Sequence, residues 1–252
     1  MNSLFLNSVH LVNFKNYENE KFNFCRGFNI ITGQNGMGKT NVLDTIYYLS
    51  MLKSNFARSE KQLRLKGKSF LRLESQWSIN DQNFEMILAV DDQRKIQTVN
   101  GKDIPSRTDH IGRFPIVIIC PEDENIIREG SLIRRKTFDH ILSLISKEYL
   151  MALIQYSRLL KQRNAYLKSN GPSRSEKEIL LTYSQQMQEP ARIISSTRTR
   201  ITKNIEQIFN KVYHEIGIEK EICTIDYQST CTNQNLLDIH KLELEKDLIT
   251  SR

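Results

Sequence analysis

The sequence predicts an α/β fold: a mixed sheet carrying a glycine-rich loop, a second, antiparallel β-layer, and an inserted helical arm. Three observations predict it. Residues 27–49 read as strand, loop and helix: Gly27-Phe28-Asn29-Ile30-Ile31-Thr32 as a short buried strand, then glycines at 33, 36 and 38, then apolar residues at helical spacing from Thr40 to Leu49. Between 69 and 99 the apolar residues alternate, over Ser69–Ile79, Asn83–Val90 and Lys95–Val99, and Asn100-Gly101 is a hairpin turn signal. From about Glu122 to Gly217 the period turns helical.

The remaining elements follow in order. Ser54–Lys68, with Arg58, Lys61, Arg64, Lys66 and Lys68, reads as a solvated basic connector rather than a phosphate-binding segment. Phe114–Cys120 returns to the core as a strand that Pro121 ends. The arm is broken by a loop at Asn170-Gly171-Pro172-Ser173, and Pro190 kinks or divides its second long helix. Ile218–Tyr227 is strand-like and Gln234–Leu248 helical. This divides the chain into a lobe carrying the glycine-rich loop at 1–121, an arm at 122–217, and at 218–252 the start of a return to the lobe.

The segment Gly33-Gln34-Asn35-Gly36-Met37-Gly38-Lys39-Thr40 fits the phosphate-binding pattern GxxxxGK(S/T) at every required position, and Asn41 follows it. Strand before and helix after are the context that separates this motif from a chance glycine-rich turn. Each residue type has a job. Glycine backbones reach conformations closed to residues with a Cβ, so successive N–H groups turn inward around an anion, and the helix N-terminus adds its own. Lys39 supplies a mobile charge for the β- and γ-phosphates, and the Thr40 hydroxyl is placed to ligate Mg²⁺. The candidate ATP site is therefore Gly33 through Asn41, with Thr40 as the metal ligand.

The run from Gly33 to Asn41, with Leu43 and Ile46-Tyr47-Tyr48-Leu49 behind it, resembles the ABC-type ATPase heads of the SMC and RecF families, in which Glu usually stands where this chain has Asp44. The opening Leu4–Tyr17 is similar to the first strand and turn of the same heads, which puts Lys15, Asn16 and Tyr17 near the nucleotide by resemblance. Two further blocks favour RecF. Cys120-Pro121-Glu122-Asp123 through Gly130, Arg134, Arg135 and Asp139 resembles a RecF run of the form PEDLxLVxGSPxxRRxFLD. Tyr149 through Tyr156, Lys161-Gln162-Arg163-Asn164 and Lys168 resembles the helix that follows it, where SMC heads carry a long coiled coil. The chain is identified as a member of the RecF family. The resemblance implies an ATP-dependent homodimer that binds single-stranded and gapped duplex DNA. With RecO and RecR, it would help load RecA in recombinational repair and the SOS response.

The match stops short of a signature motif and of a Walker B strand ending in two acids, so the expectation is a C-terminally truncated form that binds ATP and names no catalytic residue. Leu88-Ala89-Val90-Asp91-Asp92 comes nearest, but Asp pairs favour turns and these are expected to be solvated. Two alternatives stand beside this reading: a hydrolysis-deficient DNA-binding fragment or adaptor, and a P-loop kinase, for which no acceptor site is visible.

Composition fits. The 252 residues carry a net charge of +7, and between Arg128 and Glu215 there are 16 Lys/Arg against 8 Asp/Glu, a basic surface suited to a polyanion. Cysteines 25, 120, 223 and 231 form no CxxC pair, and Cys25 and Cys120 read as reduced core thiols. Scattered histidines offer no zinc spacing. Neither a signal peptide nor a long apolar run is visible, so the expected location is cytoplasmic, away from membranes.

Overall fold

The computed structural model describes residues 4–169, 174–217, 221–229 and 236–250. The chain forms two compact units, 1–123 and 124–252. Unit one is built on a six-stranded sheet of order β2-β1-β3-β4-β5-β6. Its strands are β1 (Leu4–Phe14), β2 (Tyr17–Asn23), β3 (Leu71–Ile79), β4 (Gln82–Val90), β5 (Lys95–Val99) and β6 (Lys102–Asp103). Every pairing is antiparallel. Alternation sets which face is buried: Leu71, Leu73, Ser75 and Trp77 of β3 point inward, as do Met86, Leu88 and Val90 of β4. At the β5–β6 turn, Asn100 and Gly101 both take positive φ, 49° and 72°, as the hairpin signal requires.

Helix α1 (Lys39–Met51) lays Tyr48 and Leu49 on that face, among Val9, Leu11, Phe14 and Leu73. Short α2 (Arg107–His110) follows the sheet, and buried Phe114 stacks on Trp77 at 4.7 Å between ring centroids. His110 is buried, with Nε2 2.7 Å from the Leu49 carbonyl oxygen.

Unit two is helical: α3 (Asn125–Arg128), α4 (Ser131–Ile145), α5 (Lys147–Ser169), α6 (Arg174–Glu215) and α7 (Leu236–Thr250). Apolar clusters join α4, α5 and α6 through Leu142, Tyr149, Ala152 and Ile194, and α5, α6 and α7 through Leu159, Met187, Ala191 and Leu236. Helix α6 continues through Pro190 for 42 residues, so the proline does not divide it. The expected loop at 170–173 lies outside the described residues. Among those described, no helix is long and apolar enough to cross a membrane.

The α/β class holds, with differences of detail. The expected mixed sheet is antiparallel throughout among the described residues, because the two segments read as its inner strands are extended without a ladder. In 27–32, Asn29 closes a local loop: its side chain accepts from the Cys25 N–H and donates to the Cys25 carbonyl, both at 2.9 Å. A side chain that satisfies nearby backbone competes with strand pairing. Phe28 and Ile30 are left 97% and 86% exposed. Cys25, read as a core thiol, is exposed in the same loop, whereas Cys120 is half-buried. Residues 114–120 keep a strand's period of two, with Phe114, Ile116 and Ile118 turned inward and Val117 and Ile119 outward. Period alone does not make a strand; a neighbour must supply the hydrogen bonds.

The strand expected at 218–227 is also corrected over its described part. Residues 221–229 have no regular structure and bind to side chains of α6. Asn210 donates to the Cys223 carbonyl at 2.8 Å and accepts from its N–H at 2.9 Å, while Glu206 accepts from the Ile225 N–H at 2.7 Å. A carboxamide and a carboxylate thus do what a neighbouring strand would. Cys231 lies outside the described residues.

Candidate nucleotide-binding site

The glycine-rich loop runs into α1 through three positive-φ glycines, Gly33 at 150°, Gly36 at 84° and Gly38 at 97°. Gly38 is the N-cap of α1, in the left-handed region, and no side chain caps the helix there. The first turn also holds no acidic residue, so no charged side chain of the helix offsets the positive end of its dipole, although the Asn41 N–H donates to the Gly38 carbonyl at 2.8 Å. Thr40 stands exposed on this turn. The Lys39 ammonium folds back on the loop and donates to the carbonyls of Gly33 and Gln34 at 2.7 and 2.8 Å.

What shapes the loop comes from the β1–β2 turn. Lys15 there adopts φ 50°, and the next two side chains reach the loop backbone. Asn16 Nδ2 donates to the Met37 carbonyl at 3.0 Å, and the Tyr17 hydroxyl donates to the Gly38 carbonyl at 3.1 Å. Asn41 donates to Asn16 Oδ1 at 2.7 Å and completes the circuit. Space is tight: a Cβ on Gly38 would lie 2.5 Å from Asn16 Nδ2. Gly38 is therefore required twice, by its φ and by Asn16.

Beneath the turn lies a buried ion pair that sequence reading did not find. Lys15 Nζ is 2.7 Å from Asp44 Oδ2, and the Asp44 side chain is fully buried. Asp44 also accepts from the Ser54 hydroxyl at 2.7 Å and the Asn55 N–H at 2.8 Å. It joins the turn that shapes the loop, the helix that follows it and the 54–55 connector. An acid on the inward face of an amphipathic helix is a signal for such a pair, since an unpaired buried charge is not tolerated.

The structure brings Gly33 through Asn41 together with Asn16 and Tyr17. It does not bring the acidic pair to them by any contact. Asp91 caps its own turn, accepting from the Gln93 and Arg94 N–H groups at 2.7 Å, which holds its carboxyl below the usual range. Asp92 pairs with Arg64 at 2.6 Å.

The RecF/RecN/SMC N terminal domain family matches residues 5–98. The protein from Cytophaga hutchinsonii described as DNA replication and repair protein RecF is 32% identical over 250 residues, 99% of this chain and 66% of that protein. Its namesake from Flavobacterium johnsoniae is 34% identical, with 96% of this chain matched to 68% of that one. The chain belongs to the RecF family. It spans about two thirds of the length of these relatives. Two solved structures also align with this RecF-family chain. A RecF–ATPrS complex, described as a recombination mediator protein in the RecFOR pathway, has a TM-score of 0.86 at 25% identity and covers 98% of this chain and 70% of its own. The corresponding RecF–ATP structure has a TM-score of 0.84 at 26% identity, covering 99% and 69%.

Proposed function

We propose that this chain is an ATP- and DNA-binding protein of replication and recombinational repair, acting in the cytoplasm. The observation that carries the proposal is the loop at residues 33–41, clamped by Asn16 and Tyr17 onto an uncapped helix N-terminus, in a chain whose relatives include ATP-bound RecF. Three left-handed glycines, an adjacent lysine and a helix N-terminus are what a polyphosphate requires.

The donor set also suits a divalent cation arriving with the nucleotide. Thr40 offers a hydroxyl at the exposed first turn, the hard oxygen that Mg²⁺ prefers. Mg²⁺ bound there would neutralise phosphate charge. The chain's own contribution is to position the phosphates through the backbone of 33–40 and to meet them with the Lys39 ammonium.

DNA is the second ligand. The helical unit carries the basic excess, and α6 places Arg200 and Lys203 beside Ser196 and Thr199 along one strip, where Arg192 is held by Glu189 and Ser195 is buried; the remaining groups suit phosphate oxygens. The RecFOR setting of the solved relatives supports RecO and RecR as partners, RecA loading and the SOS response as context, and an ATP-dependent homodimer as the acting form.

A second reading is favoured by the Asp91–Asp92 geometry: this polypeptide binds ATP without turning it over, because its nearest acidic pair is used in a turn and an ion pair. Calorimetry with ATP and Mg²⁺ on wild type and Lys39→Ala tests the first claim; a loss of at least about tenfold in affinity, roughly 1.4 kcal/mol, is expected. Equal affinities would overturn the nucleotide site. Steady-state ATP turnover with gapped duplex DNA tests the second, and turnover that Lys39→Ala abolishes would overturn it.

A further inference from the structure

In unit two a cavity of about 290 Å³ opens between α4, α6 and residues 225–228. Helix α4 contributes Ser131, Arg134, Arg135 and Phe138, which share one face at helical spacing, and Tyr227 stands on the other side. Such a volume, at the small end of ligand sites, suits a single nucleotide rather than a duplex.

The chemistry of the walls is paired in the same way as a nucleotide. Two guanidinium groups one residue apart lie at the start of α4, where no acidic side chain occupies the first turn. Arg134 donates to the carbonyls of Ile126 and Glu129, at 3.3 and 2.9 Å, and Arg135 donates to Ser131 Oγ at 2.9 Å, so both heads are held at the rim. The aromatic wall is held too. Arg198 binds Asp139 and reaches the Tyr227 hydroxyl at 3.4 Å, while Tyr149 also donates to Asp139. The 221–229 segment that carries Tyr227 is fastened by Asn210 and Glu206. Arg198 and Asp139 offset one another, so the net positive charge comes from the Arg134–Arg135 side, with Asp226 opposite.

We infer that this pocket takes one unstacked nucleotide of a single DNA strand, its base against Tyr227 and Phe138 and its phosphate on Arg134 and Arg135. The inference rests on the DNA-binding reading and gives it a place. Base stacking on an aromatic side chain is sequence-tolerant and typically changes affinity five- to a hundredfold or so on alanine substitution. A phosphodiester is the anion that two neighbouring arginines fit best.

The test is fluorescence anisotropy with a labelled oligo(dT) and an abasic oligomer of equal length, using the 252-residue chain. Wild type is expected to prefer the oligo(dT). Tyr227→Ala should weaken it about tenfold and erase the preference, Tyr227→Phe should retain both, and Arg135→Ala should weaken both oligomers. Lys161→Ala, which removes a cation elsewhere in the unit, should change binding no more than about twofold. Circular dichroism melting would separate folding loss from binding loss, and the exposed Arg135→Ala decides the case if Tyr227→Ala unfolds, unchanged binding there overturning the pocket. A preference for oligo(dT) that survives in Tyr227→Ala overturns the pocket and leaves DNA binding standing. Failure of wild type to bind either oligomer overturns the pocket, and failure to bind a gapped duplex as well overturns the DNA reading. Displacement of oligo(dT) by millimolar dTMP, lost in Tyr227→Ala, would support the proposal, since competition requires the strand to occupy the pocket; dTMP binding that Tyr227→Ala abolishes but that leaves oligo(dT) bound would assign the pocket to a free nucleotide and overturn it.

Discussion

Replacing Asp44 by Ala should do more damage than any exposed charge change in unit one. The carboxylate is fully buried and the Lys15 side chain only 15% exposed, so the substitution leaves an ammonium in the protein interior with its counter-ion gone. Breaking a buried pair by removing one partner costs about 3–5 kcal/mol. The Asn55 N–H loses its acceptor as well, adding about 1–3 kcal/mol if it stays dry. The Ser54 hydroxyl loses the acceptor of its proton and keeps only the bond that its oxygen accepts from the Ala57 N–H at 2.8 Å. Against a domain stability of about 5–15 kcal/mol, a third or more is lost. Removing both charges, Lys15→Met with Asp44→Leu, should recover the cost of the broken pair and leave the double variant about 1–3 kcal/mol below wild type, the share of the Asn55 N–H. Urea unfolding followed by tryptophan fluorescence is the assay. The chain has one tryptophan, and Trp77 lies in the core of unit one, so the signal reports that unit alone. A loss under about 1 kcal/mol in Asp44→Ala, or a double variant no more stable than Asp44→Ala, would refute the argument that the pair is coupled and buried.

Gly38→Ala should reduce ATP affinity at least about tenfold, since it strains the left-handed N-cap and pushes Asn16 off the loop; calorimetry decides, and unchanged affinity would remove Asn16 from the site. Burial pushes the His110 pKa below 6.5, so the folded state binds fewer protons there than the unfolded chain. Stability is then complete above pH 6.5 and declines as pH falls through that value. His110→Gln should flatten this decline in urea midpoints measured from pH 7 to 5, and equal slopes would count against it. Asn210→Ala should cost about 1–2 kcal/mol and speed hydrogen exchange at the Cys223 amide, whereas unchanged protection would show the segment is held elsewhere. Val117→Thr with Ile119→Thr should change stability by less than about 1 kcal/mol, given their exposure; a larger loss in thermal melts would mean those side chains are packed.

Much of the fold was legible because hydrophobic period reports burial directly. Lys95–Val99 was placed residue for residue, and Asn100-Gly101 predicted its turn from φ preference. The motif at 33–41 stands out in the sequence because its glycines serve backbone conformation and, at Gly38, the close approach of Asn16. Residues 27–32 and 114–120 misled for one reason: extended apolar segments look alike whether or not a neighbour strand is there to bond them, and the bond partners are far away in sequence. Residues 221–229 misled because the partner of their backbone is a carboxamide on α6, which no periodicity announces. The Lys15–Asp44 pair left only a faint sign, one acid on the wrong face of a helix.

The Lys39 ammonium already has two acceptors, the carbonyls of Gly33 and Gln34. The loop is thus a lock holding its own key. A ligand at the proposed site would have to replace two neutral oxygens on the ammonium, an exchange that charge favours for a phosphate. That internal competition would favour charge before any contact to base or sugar is made. A loop that releases its lysine must also give up the contacts that keep residues 33 and 34 in place, so capture of an anion and loosening of the loop's first turn are one event.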